Sequence, residues 1–391
     1  MPAPAQQHGV QRLVDRESGS RHEQEAQRSH PDHTAVAAKA QAVMPGERHA
    51  EGDQPAEAVG YEWRLPEALD QCDDHTPVHG RCDTADEHEP ADAVAMRPFV
   101  VRRDAHGAAE DSGARLVCLC VDDVGMHAGI IDAARRLIEG QRVHAVSCMV
   151  GARGWHAAAS QLRSLAPTGI DIGLHLDLTE APLLAGSRHG LGGLIVATQL
   201  RVLPRATLRA EIRAQLDAFE DALGSGPAHV DGHQHVHQFA LVRTELLSEL
   251  VRRYGDAPPW LRSTAVGSVD RSSPRASWRA GAKQPVIQGL GARALLRLAQ
   301  RTGFRHNRAL LGVYDFADQT TSYAERMCGW LAGARTGDLL MCHPSLAGPA
   351  DAMGRARVTE FALLGSPLFG CMLRDAGVEL APMSRILRGA G

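Results

Sequence analysis

The chain has 391 residues, 44% of them hydrophobic and 23% charged, with a formal net charge of −4, which is enough apolar content for a sizeable core. No apolar run approaches the roughly 20 residues of a bilayer-spanning helix, so no integral membrane segment is expected. Eight cysteines without a Cys-x-x-Cys pair argue against a disulfide scaffold and for a reducing, cytoplasmic setting. The basic residues are nearly all Arg, with Lys39 and Lys283 the only lysines, and they form no cluster of the kind that binds nucleic acid.

Charge is distributed unevenly along the chain. Residues 1–110 hold 21 Asp+Glu against 11 Lys+Arg, and residues 111–391 hold 25 against 31. The first 110 residues are polar, punctuated by proline and without sustained periodicity, so they are expected to be disordered and dispensable. Nine of the 20 histidines lie there, but scattered histidines lack the regular spacing of a metal site. Translation starting later, for instance at Met96, is an alternative account of the same segment. The second part, 111–391, reads as one domain.

From Leu116 the pattern becomes regular. Leu116–Val121 is a continuous apolar run that fits a strand buried on both faces, closed by Asp122 and Asp123. Residues 129–139 carry apolar side chains at helical spacing and stop at Gly140. Val143–Val150 reads as a strand, Trp155–Leu165 as a helix and Asp171–Leu178 as a strand of period two. A Gly-rich loop precedes a long amphipathic helix over 206–223. Then follow a strand-like His229–His237, a helix over 241–254 and a short strand over 260–264. Residues 265–315 show only a helix over 292–300. A helix over 323–334, a strand over 338–343, a helix over 356–375 and a strand over 378–380 complete the chain. Strands alternating with helices imply a parallel sheet. At this length a TIM-like (β/α) barrel, closed or nearly closed, is the expected α/β fold. No Gly-x-Gly-x-x-Gly follows the first strand, against a dinucleotide-binding sheet.

Four polar clusters sit where strands end. Asp122 and Asp123 would repel each other at a buried terminus unless a cation lies beside them; the plainer reading makes Asp123 a helix N-cap. In Gly173–Glu180, alternation sends Leu174, Leu176 and Leu178 one way and His175 and Asp177 the other. A lone histidine of this kind is ordinarily a satisfied core residue, whereas four histidines and an aspartate within His229–His237 are too dense for an apolar core. On a regular strand Asp231, His233, His235 and His237 share one face, which points to metal or catalytic use. The fourth cluster is His343, placed at the rim by Pro344.

In order and spacing, Val121–Gly125, Gly173–Glu180, His229–His237 and Met341–Pro344 resemble the YdjC-like carbohydrate deacetylases of the ChbG/HpnK type, over about residues 116–387. The resemblance implies a TIM-like barrel that hydrolyses N-acetyl groups of amino sugars, such as chitooligosaccharides or acetylglucosaminyl lipids, with one divalent metal ion, Mg or Zn. It implies Asp123, His175 and His233 as ligands, Asp122 as base and His343 as acid. Val124, Asp177 and Ser345 stand where the family usually has an aromatic, Asn and Gly. Asp177, Asp231, His235 and His237 would orient the ligands, and Arg262 would hydrogen-bond sugar hydroxyls or lie at the surface. The expected partner is an N-acetylated sugar or glycolipid, with a homodimer possible. A metal-dependent phosphoesterase on the same barrel and a non-enzymatic metal-binding protein are the rival functions.

Overall fold

The computed structural model describes residues 113–265, 287–316, 322–348 and 353–389. The expectations for residues 1–110, including their disorder and the scattered histidines, lie outside the described residues. The elements run β1 (Arg115–Val124), α1 (Ala128–Glu139), β2 (Ala145–Cys148), α2 (Trp155–Leu165), β3 (Asp171–Leu176), α3 (Leu191–Gln199), α4 (Arg205–Leu223) and β4 (His229–Gly232). They continue with α5 (Val242–Tyr254), β5 (Trp260–Leu261), α6 (Arg293–Arg301), β6 (Leu310–Leu311), α7 (Tyr323–Gly333) and β7 (Leu339–Cys342). Helices α8 (Gly354–Leu364) and α9 (Pro367–Ala376), strand β8 (Val378–Leu380) and helix α10 (Met383–Gly389) end the chain.

All strand pairs are parallel, in the order β5-β4-β3-β2-β1-β7-β6. The two ends of this path meet through a parallel bridge between Leu261 and His306 and through the Leu310 amide donating to the Ala265 carbonyl. The sheet is therefore a nearly closed seven-stranded barrel, as expected. Among the described residues, strand β8 pairs only with Arg115–Val117, at the start of β1.

The period-two alternation separates two cores. Outward residues such as Val117, Leu119, Val121, Leu174, Leu176 and Val230 pack under the helices. Inward residues build the barrel interior, where Cys118, Cys120, Ala145, Trp260, Leu310, Leu339 and Met341 cluster with Met383 and Ile386 of α10. Helix α10 thus plugs the bottom of the barrel, and Asp171 ties it there by accepting from the Ser384 amide (2.7 Å) and the Trp260 indole (3.1 Å). Along β1 the inward series Cys118, Cys120, Asp122 passes from an apolar floor to a polar mouth, so charge collects at the C-terminal end of the sheet.

Several local expectations change. The Gly-rich loop after β3 contains a helix, α3, and the segment read as one helix over 356–375 is two, broken around Gly365–Pro367. Strand β6 is only two residues long, too short to leave a periodic signal. Strand β4 ends at Gly232 and a tight turn over His233–Gln238 follows, with Gln234 and His235 at positive φ. The four-residue face expected from Asp231 to His237 therefore does not exist.

Candidate active site

The mouth of the barrel is organised by one break in β1. Asp122 points inward with the strand's alternation, and a regular strand would send Asp123 out among the helices. Instead Asp123 adopts φ 63°, and the register with β2 shifts between Val121 and Val124. That left-handed turn is costly for a residue other than glycine, and it brings both carboxylates to the same side. The N-cap reading of Asp123 falls, because the N-cap of α1 is His127 and no side chain caps it.

Asp123, His175 and His233 converge, with ligand atoms all within 4.8 Å of one another. Asp123 Oδ1 lies 3.0 Å from His233 Nδ1 and 3.4 Å from His175 Nε2. These separations match donors that share one centre at bond lengths of about 2.0–2.2 Å. Each donor is aimed by a further contact. His175 Nδ1–H donates to Asp231 Oδ1 at 2.6 Å, which leaves Nε2 directed at the shared centre. Arg357 Nη2 donates to Asp123 Oδ2 at 2.7 Å, which leaves Oδ1 for it. An aspartate and two imidazoles so arranged fit one borderline divalent cation.

A second convergent trio, Asp122, His175 and Asp231, is neutralised by a cation of the protein itself. Arg262 is fully buried; it donates to Asp122 Oδ2 (2.5 Å) and Oδ1 (2.6 Å) and lies 2.6 Å from Asp231 Oδ2. This corrects the expectation that Arg262 contacts sugar or solvent. The guanidinium fork clamps the base candidate and the carboxylate that aims His175.

Electrostatics follow from these pairings. Burial pushes the Asp122 carboxyl up, but Arg262 outweighs it and holds the group below its ordinary range. Burial likewise raises Asp123, and His233 and His175 bring it well below. Desolvation lowers His175, yet Asp231 and Asp123 lift it to about 10. A cation at the site would displace that proton. His343 Nε2 lies 3.9 Å from Asp122 Oδ2, with Phe316 edge-on to its ring. Burial drives His343 down to about 4 against the pull of Asp123 and Asp122, so it is neutral at neutral pH and not poised near 6.5 as expected.

The remaining histidines of the cluster divide by place. His229 stacks on Trp260 at 4.3 Å and its Nε2 meets Ser147 Oγ at 2.8 Å, while Ser147 donates to Asp231 Oδ2 at 2.6 Å. His237 Nε2–H donates to the Arg262 carbonyl at 3.0 Å, so it acts on the clamp and not on a ligand. His235, at positive φ, makes no hydrogen bond to the three convergent donors among the described residues. Burial raises the Asp177 carboxyl, but nearby His233 and the amides of the next loop hold it below its ordinary range, and no hydrogen bond ties it to the three convergent donors among the described residues. Its oxygens accept from the amides of Thr179, Glu180 and Ala181 and fix the loop after β3.

Arg357 and Glu360 were not singled out in the sequence. Both lie on the buried face of α8, and the i, i+3 spacing of two charges on one helix face is the only local signal of them. Glu360 accepts from Tyr314 Oη (2.6 Å) and from the His343 amide (2.5 Å), and burial pushes it up to about 7. It sets the backbone that carries His343.

A family model described as YdjC-like protein matches residues 116–375, most of the described chain. The chain belongs to the YdjC-like family. This YdjC-like barrel is 27% identical over 277 residues to the human protein named carbohydrate deacetylase, covering 62% of this chain and 81% of that one. It is 32% identical over 136 residues to a Proteus mirabilis chitooligosaccharide deacetylase, covering 32% and 51%. A solved Enterococcus faecalis structure, described as a candidate cellobiose-phosphate cleavage protein, superposes with a TM-score of 0.51 at 19% identity, covering 70% of this chain and all of that one. That likeness speaks for the fold alone.

Proposed function

We propose that this YdjC-like chain is a metal-dependent hydrolase that removes the acetyl group from an N-acetylated amino sugar, of the chitooligosaccharide or acetylglucosaminyl-lipid class. The observation that carries the reading is the convergence of Asp123, His175 and His233 beside the clamped carboxylate of Asp122 at the barrel mouth. The names of the relatives support the same chemistry. Asp plus two His suits zinc more readily than magnesium, which favours oxygen ligands.

An amide resists attack because its carbonyl is a poor electrophile and its amine a poor leaving group. A divalent ion held by Asp123, His175 and His233 would acidify a water and polarise the acetyl carbonyl. Asp122, kept ionised by Arg262, accepts the proton of the attacking water. His343, neutral at rest and 3.9 Å from Asp122, takes over the proton that Asp122 accepted from water and delivers it to the departing sugar nitrogen, which returns both groups to their starting states. Asp231 holds the His175 tautomer, and Arg357 holds Asp123 so that one oxygen stays available. A phosphoesterase would be expected to add phosphate-binding Arg or Lys, or a Gly-rich nest, near the metal. Arg262 and Arg357 instead direct their nitrogens at Asp122, Asp231 and Asp123.

The test is acetate release from a panel of N-acetylglucosamine oligomers and glycolipids, with chelated protein reloaded with zinc or magnesium. Turnover that vanishes on chelation, returns with metal and is absent in His233→Ala supports the reading. Undiminished turnover after complete metal removal, or release of phosphate from phosphate esters with no acetate from any sugar, overturns it.

A further inference from the structure

The segment between β3 and α4 departs from the rest of the surface. Seven large hydrophobic side chains are exposed among the described residues, and six of them lie here: Leu183, Leu184, Leu191, Val196, Leu200 and Val202. Helix α3 buries only Leu194 and Thr198, so it is apolar on its outer side as well as its inner one. Large apolar side chains left exposed together in one segment mark a contact site. It is not loose: the Leu183 and Leu184 amides donate to the Glu211 carboxylate at 2.7 and 2.8 Å, and the His189 amide donates to the Leu178 carbonyl.

Charge identifies the partner. From Ala181 to Ala210 the chain carries four arginines and no Asp or Glu. Arg205 and Arg209 bind Glu245 of α5, whereas Arg188 and Arg201 are exposed beside the apolar side chains. Arg153 is exposed on the adjoining loop after β2, where Gly151 packs against Ala181. Glu180, paired loosely with Arg188 at 3.9 Å, is the acidic residue at its near edge. Exposed leucines and valines flanked by arginines, without aromatic anchors, are poor protein–protein hot spots. A segment with four arginines and no carboxylate over residues 181–210, two of them exposed beside leucines and valines, complements an anionic lipid surface in charge.

We propose that residues 181–204 rest on an anionic lipid surface, with α3 and the Leu200–Val202 turn entering the headgroup layer. The segment leaves β3 directly after His175, so docking through it sets the barrel mouth close to the membrane plane. The inference concerns where the protein works and does not depend on the reaction proposed above.

The experiment is sedimentation of the full chain with vesicles of phosphatidylcholine alone or with 30% phosphatidylglycerol, at low and at 0.5 M salt. Two variants are compared with it: Val196→Ser/Leu200→Ser/Val202→Ser, and Arg188→Gln/Arg201→Gln. These residues lie outside the catalytic and metal-binding set, so circular dichroism and turnover of a soluble substrate should match the parent. Binding to the anionic vesicles that weakens in salt and falls at least tenfold in either variant is the expected result. A parent protein that stays in the supernatant with anionic vesicles overturns the proposal, as does equal binding by both folded variants. Self-association in analytical ultracentrifugation that the apolar triple variant abolishes, without vesicle binding, also overturns it and makes this face an interface between copies.

Discussion

Replacing Arg262 by methionine isolates the clamp at the centre of the site. The side chain is fully buried and holds Asp122 through two contacts of 2.5 and 2.6 Å and Asp231 through one of 2.6 Å. Methionine keeps much of the volume but leaves two buried carboxylates without a counter-charge. Breaking a buried pair by removing one partner costs about 3–5 kcal/mol. At roughly 2–4 °C per kcal/mol for a domain of this size, the melting temperature should fall by about 6–20 °C at neutral pH. The pH dependence gives a second reading. In the parent, Asp122 and Asp231 are held below their ordinary range, so the stability they supply is complete above about pH 4 and lost as pH falls through the folded values. In Arg262→Met their folded values rise above the unfolded ones, so the deficit should be greatest near neutrality and shrink as pH is lowered toward 5. Calorimetry across pH 5–8 on both proteins checks this. A melting temperature within 2 °C of the parent, or a pH-independent difference, would refute the argument that the clamp is electrostatic.

Four further substitutions probe separate parts of the site. Asp122→Asn should keep the bound metal and lose a factor on the order of 10²–10⁴ in turnover, while Asp123→Asn should weaken metal binding, with activity partly restored by excess ion; metal content by mass spectrometry distinguishes the two, and the opposite pattern reverses their roles. Gly173→Ala would place a Cβ 2.3 Å from the His229 ring, so a loss of about 1–3 kcal/mol is expected in denaturant titration, and an unchanged midpoint would show that His229 can move aside. Glu360, pushed up to about 7 by burial, contributes stability that is full below the unfolded value near 4.3 and declines as pH rises to 7. Glu360→Gln should abolish that slope, seen as a melting-temperature difference from the parent that grows in the variant's favour from pH 5 to 7 and then levels; parallel profiles would contradict it.

Much of the site is legible because strands write their two faces at alternate positions. Leu174, Leu176 and Leu178 separate from His175 on that rule alone, and apolar runs that end in Asp122, Asp123 and His343 place charge at one end of a parallel barrel whatever the details of packing. The convergent trio of Asp123, His175 and His233 follows from the order of those ends together with the family resemblance. What the sequence by itself could not decide depends on contacts between residues far apart in the chain. A regular strand would set Asp123 against Asp122; the left-handed turn that joins them is held in place by Arg357, 234 residues away. Arg262 on a short strand looks like a surface residue until the barrel closes around it and gives it two carboxylates. Arg357 and Glu360 look like ordinary helix charges until α8 packs across the mouth. The His229–His237 cluster invited a single face, but Gly232 ends the strand and the chain turns, so only His233 reaches the shared centre. Periodicity reports the local face of an element, whereas ion pairing and a strained backbone arise only when distant elements meet in a medium too poor in water to leave a charge alone.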